Sequence, residues 1–343
     1  MTNTLNPRTL GVALVAVAML LAPVVFSQQQ YLLRVVTTAA IYAIAAYGLN
    51  IILGLTGQLS LAHGAFFGVG AYIVGLLTTD RDWPFWTAFL LAIAATTVLG
   101  YVSGLIALRT QGAYFAIFTM ALGFLIFITI VRWESLTHAH SGVSGVKFPE
   151  NIGPIDFTEP AVMYYFVLLF LAGAAYTTHA LLRSNAGRSL VAIRTSEDLA
   201  KSIGVNVAVS KQLAFTASAT IAGLAGALFA SLNGFIGPDS AGIDRTFELL
   251  LFLLIGGMGT VMGPLIGSLL VAFLFEMLQD LETYRFIVLG PIIVLLVIFA
   301  PRGLIGYLND LVPARFSRRG RTTRSAEPAP ALAGSTTTKG EVH

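Results

Sequence analysis

The chain has 343 residues, of which 56% are apolar and only 11% charged, and its mean hydropathy is +0.81. Ordinary globular chains carry about a quarter charged residues to cover a hydrated surface, so this composition excludes a soluble globular domain and calls for lipid-facing surface. Without cysteine there is no disulfide framework and no thiolate metal or redox site, and a net charge of +3 gives no reason to expect nucleic acid as a partner.

Stretches free of Asp, Glu, Lys and Arg cover 9 to 33, 35 to 79, 83 to 108, 110 to 131, 160 to 182, 212 to 243, 249 to 275 and 286 to 301. A helix needs about 20 apolar residues to cross about 30 Å of hydrocarbon with every backbone group bonded internally, so each block predicts one or two spans. In the first, Arg8 precedes an apolar run from Leu10 to Phe26. That run is long and has no clean small-x-small cleavage site, which predicts a retained first helix rather than a signal peptide. The block from Val35 to Thr79 is about twice the length of one span and is interrupted by Gly54, Gly57 and the polar run Gln58 to His63, so it predicts two helices. The block from Leu249 to Phe275 is interrupted by Gly256, Gly257, Gly259, Gly263 and Pro264, as by a turn between two short helices. The sum is an all-α, polytopic transmembrane helix bundle of about ten spans; one kinked helix at the last break would make nine. Asn50 and Arg109 read as helix-end residues and Glu276 as a periplasmic-edge residue.

Charge placement tests the count, because Lys and Arg near span ends stay cytoplasmic. With ten spans, the termini and the loops near 54 to 63, 109, 183 to 211 and 263 hold 14 of the 20 basic residues and 5 of the 17 acidic ones. Both termini are therefore expected in the cytoplasm. The organisation is a first membrane helix with a short cytoplasmic N-terminus over 1–30, a core over 31–310, and a disordered basic tail over 311–343 whose start lies against anionic membrane lipid. The external loop, 132–160, contains His138 and His140, but two histidines two residues apart without further ligands predict a solvated loop rather than a metal site.

The cytoplasmic loop, 183–211, is patterned. Leu190, Ile193, Leu199 and Ile203 recur with near-helical spacing, Ser196 is placed to cap a helix beginning at Glu197 and Asp198, and Gly204 to end it. By pattern alone this short amphipathic helix fits a membrane-surface helix and a partner-docking helix equally.

The run GRSLVAIRTSEDLAKSIGVN resembles the cytoplasmic loop of the LivM-type permeases of branched-chain amino acid ABC importers, Glu197, Ala200 and Gly204 falling on the E, A and G of the importer "EAA" loop. The resemblance extends to GLTGQLSLAHGAFFGVGAY from Gly54, AGLAGALFA from Ala222, FELLLFLLIGGMGTVMGPLIGSLL from Phe247 and FAPRGLIG from Phe299, about residues 30 to 308. Asp198 and Leu199 depart from the plainest form of the motif. The resemblance implies a permease that pairs with a second, related permease and two ATP-binding subunits and receives solute from an extracytoplasmic solute-binding protein. It further implies that Gly187, Arg188, Arg194, Glu197, Ala200 and Gly204 belong to the segment that couples to the ATPase. The chain itself contains no G-x-x-x-x-G-K-S/T phosphate loop, so ATP is expected on the partners and no cofactor on this chain.

Broken helices at membrane depth are tolerated where they line a cavity or are buried in protein. Gly54 to His63 and Gly234 to Ser240 qualify, and both carry G-x-x-G-x-x-S on opposite sides of the membrane, which suggests an inverted repeat. Thr56, Gln58, Ser60 and His63 are candidate pathway residues, although His63 also fits a simple helix cap at the interface. Glu248 fits either the interface or the pathway. The stripes Ser60, Gly64, Gly68 and Ala222, Gly226, Ala230 predict close helix packing. Urea and short-chain amide permeases share the resemblance. A stand-alone carrier or channel is disfavoured because almost no ionisable residue is expected away from span ends, and a membrane enzyme because no catalytic constellation assembles.

Overall fold

A computed structural model describes residues 7–277 and 303–305. The predicted span over 286 to 301, the tail over 311–343 and most of the FAPRGLIG stretch lie outside them.

The charge-free runs are helical, as the need to bond every backbone group internally demands. In chain order the helices are α1 (Pro7–Val25), α2 (Gln30–Leu49), α3 (His63–Thr79), α4 (Phe85–Ala107), α5 (Ala113–Arg132), the single turn α6 (Glu134–Thr137), α7 (Pro160–Arg183), α8 (Asn185–Thr195), α9 (Glu197–Ser202), α10 (Val207–Asn233), α11 (Ile243–Gly256) and α12 (Gly263–Met277). Among the described residues, five helical runs have the length and hydropathy of a full span: Gln30–Leu55, Phe85–Ala107, Ala113–Arg132, Pro160–Arg183 and Val207–Asn233. At about 1.5 Å per residue, α3 and α11 reach only about 26 and 21 Å, less than the hydrocarbon thickness. Non-helical chain completes their passage.

Both predicted breaks occur, but charge-free blocks misplace several helix ends. The first block divides at Phe26–Gln29, and α2 starts at Gln30 with Arg34 inside it, because the guanidinium finds the Leu232 carbonyl at 3.3 Å. Likewise α10 takes in Lys211 and α11 takes in Arg245 and Glu248, each charge being paired within the bundle. Asn206 caps α10 by accepting from the Val209 amide at 3.1 Å, and Gly234, left-handed at φ 67°, stops it.

α10 is the central helix, packed on α2, α3 and α4. The predicted small-residue stripes do pack, but not on each other. Gly226 sits against the backbone of Phe67 and Ala71 in α3, Gly70 against Gly223, while Gly64 and Gly68 face the 241–246 region. On the outside, Leu90, Val98, Phe124, Leu125, Leu169 and Tyr176 are exposed, the lipid-facing surface that composition demands.

Contacts define two ends. At one, Arg34 meets Leu232 and Tyr31 donates to Glu276 at 2.6 Å, so Glu276 is an edge residue. At the other, Arg194 meets Gly54. The loop 132–160, at the first end, is more than a solvated connection. Its strand β1 (Val143–Ser144) pairs antiparallel with β2 (Phe235–Ile236), Val143, Val146 and Phe157 are buried, and the Glu150 carboxylate accepts from the Phe85 amide at 2.8 Å, capping α4. His138 Nε2 pairs with Asp80 at 2.9 Å, and no group of three or more metal-ligating side chains forms among the described residues. The Lys147 ammonium holds the Asp82 carboxyl below the usual carboxylate range. That tie is therefore present at neutral pH and is lost as pH falls through the depressed value.

The two G-x-x-G-x-x-S segments differ in backbone. Gly57 is left-handed (φ 74°) whereas its counterpart Gly237 has φ −98°, and Gly234 is left-handed whereas Gly54 lies in a π-helical turn. The spacing is not a repeated conformation, although both segments break a helix and re-enter.

Candidate translocation pathway and coupling segment

α2 does not stop at Leu49 but widens into a π-helical turn, Asn50–Leu55, which alters hydrogen-bond register and frees backbone groups for other partners. Asn50 is fully buried and is no mere helix end. Its Nδ2 donates to the Thr260 carbonyl at 3.0 Å and its Oδ1 accepts from the Gly259 amide at 2.7 Å. Tyr47 Oη adds a bond to the Val261 carbonyl at 2.6 Å. Two interrupted helices over 200 residues apart are thereby stitched at one level. A side chain at Gly54 would run into the Asn50 amide and lie 2.8 Å from the Gly259 nitrogen, so the crossing requires glycine.

The α8–α9 segment, where coupling residues are expected, is tied to the same place. Arg194 Nη1 donates to the Gly54 carbonyl at 2.6 Å and its aliphatic stem lies on Gly57. Glu197 accepts from Gln58 Nε2 at 3.3 Å and Gln111 Nε2 at 3.0 Å, and forms an ion pair with Lys211, which is only 3% exposed. Of the six predicted coupling residues, Arg194 and Glu197 therefore reach into the permease. Gly187 and Ala200 pack: the Gly187 amide donates to the Ser184 cap at 3.0 Å, and Ala200 is buried. Arg188 is exposed and bonds Asn185, and Gly204, with φ 85° and open space around it, ends α9 as expected. Ser196 accepts from the Leu199 amide at 3.3 Å.

The apolar stripe divides instead of running on. At Ser196 the backbone is extended (φ −163°, ψ 119°), so α8 buries Leu190 and Ile193 while α9 turns Leu199 and Ile203 outward, 62% and 68% exposed.

Between Thr56 and Gly64 the chain turns inward: Gly57 and Leu59 are exposed, while Thr56, Gln58, Ser60, Ala62, His63 and Gly64 are buried. Thr56 Oγ1 donates to the Ile52 carbonyl at 2.5 Å, Thr119 Oγ1 accepts from the Leu61 amide at 3.0 Å, and Thr246 Oγ1 accepts from the Gly64 amide at 2.8 Å. Side chains from α5 and α11, with Thr56 of the segment itself, thus supply the partners that water would otherwise give. His63 is fully buried, not an interfacial cap. Its Nε2 lies 2.6 Å from Ser218 Oγ and its Nδ1 3.1 Å from Ser60 Oγ. Ser218 spends its proton on the Gly48 carbonyl at 2.5 Å, so it accepts from Nε2–H and Ser60 donates to Nδ1. Gln58, buried beside this network, keeps an amide oxygen without a partner.

The fifth predicted pathway residue, Glu248, stands apart from these four. It accepts from Arg245 Nη1 at 2.6 Å, each side chain being 16% exposed, and the same nitrogen bonds Tyr42 Oη at 2.8 Å. The Arg245 guanidinium lies over the rings of Tyr42, Phe229 and Phe67 at 4.9, 5.5 and 5.8 Å. Arg245 and Glu248 stand in the first two turns of α11 and are nevertheless largely buried. A block-by-block search for charge-free sequence passes over them, although Arg and Glu three residues apart at the head of an apolar run is a legible sign of an internal pair.

Broken helices knitted through a buried polar interior, inside a lipid-facing shell, define a multi-pass membrane permease. Residues 31–298 match the family described as branched-chain amino acid transport system / permease component, and the chain belongs to that family. It is a transport subunit and not an enzyme. LivM, the high-affinity branched-chain amino acid transport system permease protein of Escherichia coli K12, is 30% identical over 79% of this chain and 69% of the relative. BraD of Pseudomonas aeruginosa, of the same description, is 23% identical over 83% of the chain and 97% of the relative. The ribose import permease protein RbsC of Haemophilus influenzae is 23% identical over 84% and 90%. No solved structure matches.

Proposed function

We propose that this chain is the permease subunit of an ATP-binding-cassette importer that carries branched-chain amino acids across the inner membrane by alternating access. The observation that carries the mechanism is the two-sided coupling segment. Leu199 on α9 and Ile203 just past its end face outward as an apolar surface for an ATP-binding subunit, while Arg194 and Glu197 grip the break at Gly54–Gln58. Movement of the partner would be passed to the point where both interrupted helices meet. The full assembly has a second, related permease, two ATP-binding subunits and an extracytoplasmic solute-binding protein, with the α8–α9 end and both termini in the cytoplasm. ATP is used by the partners and no cofactor by this chain.

The reading is tested in proteoliposomes. The chain assembled with the second permease, the two ATP-binding subunits and the solute-binding protein should import L-leucine on ATP addition, and solute movement by the chain alone would refute it. Because family relatives include a ribose import permease, ribose and urea are run beside leucine. Orientation has its own check, since the chain has no cysteine. Ser202→Cys should react with a membrane-impermeant maleimide from the cytoplasmic side and Asp82→Cys from the opposite side; the reverse pattern would invert the topology.

Gly204→Val should abolish copurification of the ATPase while the chain still inserts. A β-branched residue at φ 85° costs about 1–3 kcal/mol locally, and it would shift the end of α9 that presents Ile203. Normal assembly in this variant would rule out the docking role of that end.

A further inference from the structure

The geometry points to Arg245 and Glu248 as a binding station for the zwitterionic head of an α-amino acid, the internal ion pair being its closed form. This deepens the proposed function, on which it rests, by naming the chemistry of the solute that the membrane interior reads.

The pair is deep in protein. From the level of the Arg34–Leu232 bond, Phe229 lies about 5 Å and Tyr42 about 12 Å further in along their helices. A buried ion pair is a poor device for stability, because well-packed apolar residues of similar volume serve as well or better. Ionisable groups at membrane depth are correspondingly rare, and they mark solute pathways. Arg245 also has unused capacity. Nη1 serves Glu248 and Tyr42, while Nε is buried without an acceptor. That N–H is placed to donate to a carboxylate in a charge-assisted bond. Glu248, one helical turn on, offers the opposite charge to an ammonium borne on the same carbon as that carboxylate.

The surroundings suit the rest of such a solute. Tyr42, Phe67 and Phe229 wall the guanidinium, and Phe252 lies 5.7 Å from the Tyr42 ring. A branched aliphatic side chain can rest on these rings while its head displaces Arg245 from Glu248. Ribose, urea and simple amides carry neither charge, and nothing in their chemistry would repay opening the pair.

The test uses the full assembly, with the second permease, the ATP-binding subunits and the solute-binding protein, in proteoliposomes with radiolabelled L-leucine. Arg245→Gln and Glu248→Gln should each lower uptake by about thirtyfold or more, the loss expected when one partner of a buried charge pair is truncated. The deciding variant is Arg245→Met with Glu248→Gln, which removes both charges. A station predicts that this double variant assembles and withstands heat like the wild type yet still fails to import leucine. Recovery of both assembly and uptake would make the pair structural and overturn the proposal, as would a double variant that fails to assemble at all. A wild-type complex that imports ribose or urea but not leucine would instead defeat the parent reading, and that failure is visible before any variant is made.

Discussion

Gly226→Ala is expected to destabilise the permease by about 3 kcal/mol or more, the upper part of the range for overpacking a close contact. The sign is not obvious, since alanine in place of glycine inside a helix gains about 1 kcal/mol of propensity. Packing decides it. A Cβ at Gly226 would overlap the Phe67 carbonyl oxygen and lie 2.7 Å from its carbon and 3.1 Å from the Ala71 nitrogen, all of them backbone atoms that cannot rotate away. The neighbouring crossing, Gly70 on Gly223, is equally tight, so α10 cannot slide along α3 to relieve the strain. Gly173→Ala on α7 is the control: nothing lies within 4 Å of its would-be Cβ, and propensity alone should act. Thermal unfolding in detergent followed by size-exclusion profile would measure both. Gly226→Ala with wild-type stability would mean that the α3–α10 contact is looser than described.

The same crossing illustrates what a sequence can tell about such a protein. Helices and breaks are legible because hydrocarbon punishes charge and unbonded backbone, so long apolar runs and glycine-rich interruptions stand out. The mates of small-residue stripes are not, because a stripe marks a helix face without saying what lies opposite. Gly226 meets Phe67 and Ala71 rather than Gly64 or Gly68. Polar pairs are hidden for a related reason. Asn50 and Gly259 are separated by 209 residues, and neither has a local pattern that names the other. Helix starts at Val207 and Ile243 are misread because Lys211 and Arg245 look like loop charges until Glu197 and Glu248 are seen to neutralise them. Of the candidate site, the broken segment and the coupling helix are readable; the inward grip of Arg194 and Glu197 is not, since a docking motif says nothing about which of its residues face home.

That grip yields the second large effect. Arg194→Met should uncouple the transporter: ATP hydrolysis by the assembled complex continues while solute uptake falls by about tenfold or more. The Gly54 carbonyl takes a charged hydrogen bond at 2.6 Å from Arg194, and such a bond is worth about 1.5–3 kcal/mol. A shift of that size moves the balance between two permease conformations by roughly one to two decades. Methionine keeps the aliphatic stem that lies on Gly57, so α8 stays in place and only the polar link is cut. The outward face gives a different signature, because Leu199→Ala with Ile203→Ala removes the exposed apolar surface and should lose ATPase binding itself. Lys211→Met gives a third, since it leaves the Glu197 carboxylate with only glutamine partners and should cost about 3 kcal/mol of folding stability. Measuring copurified ATPase, hydrolysis rate and uptake on all three separates docking, transmission and folding. If Arg194→Met kept both rates, or lost both together, Arg194 would not be the residue through which movement of α8 and α9 reaches the broken helices.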